Sequence, residues 1–127
     1  MSMRFGPVRQ IGFVVRDLDR ALRYWTETLG VGPFFVTRNY TPDNYRYRGK
    51  PSPGPLMSFA FGNSGDVQVE LIEQHDDRPS VYREFLDAGR EGFHHVSAWL
   101  RRAEYDATMA RLSPPKTRCN SRFNRLP

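Results

Sequence analysis

One cysteine, Cys119, is all the sequence offers, so no disulfide within the chain can hold it together. No apolar run approaches the roughly 20 residues that a membrane span requires, and the opening MSMRFGPVRQ lacks the apolar stretch of a secretion signal. These absences point to a reducing, cytoplasmic setting without a membrane partner. Acid is missing from residues 113–127, which carry Lys116, Arg118, Arg122 and Arg125. Of the net charge of +5, four positive charges therefore sit in that basic, irregular tail and +1 is left for the rest of the chain. With no basic recognition helix and no stacked aromatic platform beside it, nucleic acid is an unlikely partner. What is present is core material: 39% apolar and 13% aromatic residues in 127, too much for disorder and enough for one hydrophobic core.

Apolar alternation gives a strand over 8–15, with Ile11, Phe13 and Val15 on one face and Gln10, Gly12 and Val14 on the other. Asp17 is placed to cap a helix in which Leu18, Leu22, Trp25 and Leu29 recur at helical spacing, and Gly30 stops it. Further strands are predicted near 34–39, 56–61 and 66–73, the last alternating Val67, Val69 and Leu71 with Gln68, Glu70 and Ile72. Between the second and third strands runs a long polar loop rich in Pro and Gly. It reads equally as the cover of a site, with Tyr47, Arg48 and Lys50 as anion contacts, or as a solvated or dimer-contacting excursion. A short helix over 80–88, capped by Ser80 and closed near Gly89, connects to a strand over 93–100 and a helix carrying Tyr105, Met109 and Leu112.

The end of the chain repeats its beginning. HVSAWLRRAEYDATMARL aligns with QIGFVVRDLDRALRYWTE at a fixed offset of 85 residues, pairing His95 with Gln10, Val96 with Ile11 and Ser97 with Gly12. Because successive strand residues face opposite ways, only one of His94 and His95 is expected to point inward, and the pairing with Gln10 selects His95.

Four pieces in order, QIGFVV, DLDRALRYW ending in LG, VELIE and GFHHVS, resemble the vicinal-oxygen-chelate superfamily of glyoxalases, bleomycin-resistance proteins and dioxygenases. The likeness is to its glyoxalase-like and methylmalonyl-CoA-epimerase-like branches, over about residues 6–112. It implies an α+β fold of paired βαβββ modules whose mixed sheet curls into a cup around one divalent metal ion. The first module would span about 6–75 and a partial second module about 92–112, together a domain over 1–112. The implied metal ligands are Gln10, Glu70 and His95, each at a position that alternation also places on the inner face. An amide oxygen, a carboxylate and an imidazole suit Zn, Mn, Ni, Co or Fe.

Members of the family continue into three more strands and a fourth ligand, and the stretch after Leu112 supplies neither. An incomplete second module is expected, with an open strand edge that favours a homodimer. The implied activity is a metal-dependent lyase or isomerase acting on a small carbonyl or acyl-thioester substrate, with Glu70 as catalytic base and Phe34, Tyr47, Arg48, Phe59 and Trp99 as substrate contacts. Phe34, Phe59, Phe61 and Trp99 are each more simply read as core. Two alternatives stand beside it: a non-catalytic small-molecule binder of the bleomycin-resistance type, and an Fe(II) extradiol-type dioxygenase, against which Gln10 in place of a histidine argues.

Overall fold

The computed structural model describes residues 5–112. Strand β1 (Gln10–Val14) leads into helix α1 (Leu18–Arg23), which continues as a π-type turn over Tyr24–Thr28. Strands β2 (Phe35–Tyr40), β3 (Arg46–Tyr47), β4 (Lys50–Pro51), β5 (Met57–Ser64) and β6 (Val67–Gln74) follow, then helix α2 (Val81–Asp87), strand β7 (Gly92–Ser97) and helix α3 (Arg102–Leu112). The main sheet has the order β2-β5-β6-β1-β7, and β3 and β4 form a separate hairpin. β1 runs parallel to β6 and antiparallel to β7. It is a mixed α+β fold in which the first βαβββ module is complete and β7 extends its sheet beyond β1.

Helix α1 starts where two carboxylates meet its free amides. Asp17 Oδ1 accepts from the Arg20 N–H at 2.8 Å, and Glu73 on β6 accepts from the Leu18 N–H at 2.9 Å. The helix lays Leu18, wholly buried, onto Val15, Ala60, Val69 and Leu71, with Phe13, Leu22, Trp25 and Phe34 around them. Burying Leu18 is worth roughly 2 kcal/mol. The helical spacing predicted for Leu29 fails: its N–H bonds to Tyr24 O in a five-residue turn, and the wider turn leaves Leu29 46% exposed.

The opposite face of the sheet is covered in part by α2. Leu86 packs there with Val14 and Ile72, flanked by Phe59, Tyr82 and Phe85. A polar network fixes the approach to this helix. Buried Gln74 donates to Asp76 O, Asp76 Oδ1 and Arg78 O, and accepts from Ser80 Oγ at 2.5 Å. Ser80 Oγ in turn caps α2 by accepting from the Tyr82 and Arg83 N–H groups.

The long loop is not structureless. It folds into the β3–β4 hairpin through Arg48 and Gly49, both at positive φ, as a two-residue turn of this hand requires. In α3, Thr108 is the buried residue, whereas Tyr105, Met109 and Leu112 are exposed. Among the described residues no strand follows β7, and none of the helices is long and apolar enough to cross a membrane. The basic tail 113–127, with Cys119, lies outside the described residues.

Candidate functional site

Register builds the site on the α2 face of the sheet. Gly12 on β1 stands between Glu70 on β6 and His95 on β7. A Cβ at Gly12 would lie 2.1 Å from His95 Cε1, so the absent side chain is what admits the imidazole. Across that gap His95 Nε2 is 3.4 Å from Glu70 Oε2, too long for a strong hydrogen bond. Gln10 lies two residues from Gly12 on the same face, diagonal to Glu70, and its amide donates to Gln68 Oε1 at 2.8 Å.

β7 departs from simple alternation beside His95. Gly12 pairs with His95 but Phe13 pairs with Phe93, so the strand bulges and His94 is the additional residue. Phe93 meets Phe13 on the α1 face, while the His94 ring lies among Tyr82 and Phe85 of α2, at centroid distances of 5.4 and 5.0 Å. Both histidines therefore face the α2 side, and the expectation that only one would is corrected by the bulge. Their Nδ1 atoms are 3.0 Å apart.

Beside Glu70 opens a cavity of about 440 Å³ lined by Thr37, Tyr40, Phe59, Phe61, Glu70 and Tyr82. The Phe59 and Phe61 rings lie within 17° of parallel, and Tyr40 meets Phe59 edge-on. Glu70 is only 8% exposed, and burial pushes its carboxyl above the usual carboxylate range. His95 is held below the ordinary histidine value by burial and then by neighbouring His94. Tyr82 is pushed up to about 12, first by burial and then by the charges of Glu70 and Tyr45. The site thus sets a carboxyl that burial drives toward its protonated form beside an imidazole driven toward its neutral form and a phenol that keeps its proton.

Among the described residues no three His, Cys, Asp or Glu side chains gather as a metal-binding group. The donor set that the fold does bring to one face is two such residues and an amide: Glu70, His95 and Gln10. Its chemistry suits a divalent cation, since carboxylate, neutral imidazole and amide oxygen are all ligands of borderline metals.

The substrate contacts expected from sequence separate widely. Phe59 lines the cavity. Phe34 lies on the other face, in the core under α1, where its ring fills the space above Gly62. Tyr47 and Arg48 are engaged by α2: both bond Glu84, Arg48 through three contacts of 2.8, 2.9 and 3.0 Å. Trp99 is 58% exposed beside Leu100 and α3, in a different groove. Phe61, read as wall or core, lines the cavity. Sequence reasoning missed Tyr82 and His94, although Tyr82, Phe85 and Leu86 already mark one helical face of α2 and required a sheet face to cover.

Comparison with known proteins agrees with this architecture. Residues 9–122 match the model of the glyoxalase/bleomycin resistance protein/dioxygenase superfamily. No curated protein sequence matches the chain. Among solved structures, methylmalonyl-CoA epimerase from Mycobacterium tuberculosis is similar over 88% of this chain and 66% of its own, at 20% identity and a TM-score of 0.61. A variant of the Streptomyces coelicolor methylmalonyl-CoA epimerase in complex with 2-nitronate-propionyl-CoA is similar over 84% and 69%, at 20% identity and a TM-score of 0.58. A hypothetical protein from Bacillus halodurans C-125 is similar over 84% and 67%, at 18% identity and a TM-score of 0.59. The chain spans about two thirds of the length of these structures, and the likeness is one of fold. The family match extends over most of the sequence, and the chain belongs to the glyoxalase/bleomycin resistance protein/dioxygenase superfamily.

Proposed function

We propose that this member of the superfamily is a metal-dependent lyase or isomerase that moves a proton at a carbon next to a carbonyl or acyl-thioester group, with Gln10, Glu70 and His95 holding the ion. The observation that carries the reading is the approach of Glu70 and His95 to 3.4 Å across Gly12 at the edge of an aromatic cavity. A bound divalent ion would polarise the substrate carbonyl and lower the cost of removing the neighbouring proton. Glu70 is the base in this reading once it leaves the ion, and its place at the edge of the cavity puts it next to the substrate. Phe59 and Phe61 offer flat apolar walls, and Tyr82 keeps a phenolic proton available to a substrate oxygen. The epimerase neighbours support the reaction class, and an acyl thioester is the substrate class their names suggest for this chain. The described body has no membrane-spanning helix, and a cytoplasmic, homodimeric protein paired along the free edge of β7 belongs to the same proposal.

A second reading is favoured by the cavity itself. Its lining is aromatic apart from Thr37 and Glu70, which also suits a non-catalytic binder of a flat or cationic small molecule. Metal analysis with mass measurement on the same purified sample separates the two. The enzyme reading expects about one ion per chain, lost in Glu70→Ala and His95→Ala, together with a dimer mass. Protein that takes up no divalent ion at saturating Zn, Mn, Ni, Co or Fe would sink it in favour of the binder.

A further inference from the structure

His94 has no part in the ligand set above, yet the fold holds its ring at the site. The bulge in β7 turns its ring to the α2 face, Tyr82 and Phe85 confine it at 5.4 and 5.0 Å, and its Nδ1 atom stands 3.0 Å from His95 Nδ1. We propose that His94 is a positioning residue for His95, a tautomer partner that lets His95 present a bare Nε2 to a metal ion.

The argument is a count of protons. Two neutral imidazoles carry one N–H each, and a short Nδ1···Nδ1 contact between them holds one proton, so one ring donates and the other accepts. Two arrangements satisfy it. In the first, His94 donates from Nδ1, His95 accepts at Nδ1, and the remaining His95 proton sits on Nε2, facing Glu70 at 3.4 Å. In the second, His95 donates from Nδ1 to His94, the His94 proton moves to its own Nε2, and His95 Nε2 carries a lone pair toward the cavity side of Glu70. Neither ring changes charge between them. With no cation present, ionised Glu70 favours the first arrangement. With a cation between Glu70 and His95, only the second leaves a nitrogen able to ligate. A metal-bound histidine commonly needs a partner for its other N–H, and His94 is the residue the fold places there. Without it, the half-buried His95 Nδ1–H would be unpaired in the metal-binding form.

This role rests on the metal reading proposed above, and the test keeps the two apart. Ring ¹⁵N resonances of the chain's three histidines would be recorded on the full-length protein, metal-free and loaded with Zn²⁺, with Zn²⁺ affinity measured in parallel. His95 is expected to carry its proton on Nε2 before loading and on Nδ1 after it, with scalar coupling between the two Nδ1 nuclei in both states. His94→Phe keeps the aromatic box and removes the acceptor, and should bind Zn²⁺ about 10- to 100-fold more weakly. His94→Asn, whose side-chain oxygen occupies the place of Nδ1, should restore most of that loss. Equal affinity in His94→Phe, or Zn²⁺ held by His95 Nδ1, would overturn the role of His94 while leaving the metal site standing. Absence of Zn²⁺ binding by the unaltered protein would overturn both.

Discussion

Two stretches of this chain share one pattern and meet opposite fates. β1 with α1, and β7 with α3, align at the 85-residue offset, each a strand carrying an inward polar group followed by a helix of spaced apolar residues. In the first, Leu18 is wholly buried and the helix lies on a sheet supplied by β5 and β6. In the second, Tyr105 is 53% exposed and Thr108 is the only residue of the helix that is buried. The difference lies in the partner surface. Among the described residues β1 has sheet neighbours on both sides, while β7 has β1 alone and closes the sheet as an edge. A helical apolar stripe contributes stability only where another layer covers it; Leu18 has that layer, whereas Tyr105, which falls on Arg20 at the offset, faces solvent.

Substitution at corresponding helices tests this most strongly. Leu18→Ala should cost about 3 kcal/mol in urea unfolding, as for a buried leucine whose site cannot fully collapse. Tyr105→Ala should stay within about 0.5 kcal/mol, the range of an exposed position. A comparable loss at Tyr105 would show that α3 is covered in solution, which would turn the contrast into a statement about assembly.

The strands sharpen the comparison at the site. Gly12 and Ser97 correspond at the offset and flank the inward polar groups, and Gly12 has the His95 ring over it. Gly12→Ala should lose about 2 kcal/mol, because the added carbon overlaps His95 and the strand cannot retreat between β6 and β7. Ser97→Ala, at the open edge, should change stability by less than about 0.5 kcal/mol. If Gly12→Ala folds with unaltered stability, His95 does not occupy the space above Gly12.

The two copies also mark how far the sequence could be read. The inward placement of Glu70 and His95 was legible because alternation holds along β6 and the offset ties His95 to Gln10. The Asp17 and Ser80 caps and the helices they open were legible because period and capping are local properties. His94 was not, because a bulge inserts one residue and returns two neighbours to one face, and nothing in GFHHVS announces it. Tyr82 was missed because the side of the sheet that a connecting helix covers is a tertiary choice. Phe34 and Trp99, read both as substrate contacts and as core, part company in the fold: aromatic character alone does not say whether a ring faces a cavity, a core or water. Leu29 was misplaced by a π-type turn that breaks the 3.6-residue period.

The junction between the two copies gives the smallest of the three predicted losses and the one that depends on pH. Burial pushes Asp76 up, but hydrogen bonds from the Leu56 N–H, Gln74 and the Arg78 N–H, with the Arg78 charge beside it, outweigh that and hold its carboxyl below the ordinary value of 3.8. The folded protein therefore prefers ionised Asp76 more than the unfolded chain does. Its contribution is complete above the unfolded value and disappears as pH falls through the folded one. Asp76→Ala should lower stability by about 1 kcal/mol at neutral pH, since the Leu56 amide loses its acceptor and Gln74 keeps only part of its set. The gap between variant and unaltered protein should then narrow below about pH 4. A gap that persists unchanged into strong acid would mean the loss comes from the backbone geometry of the turn rather than from the carboxylate charge, and the link from β6 to α2 would have to be assigned to Gln74 and Ser80 alone.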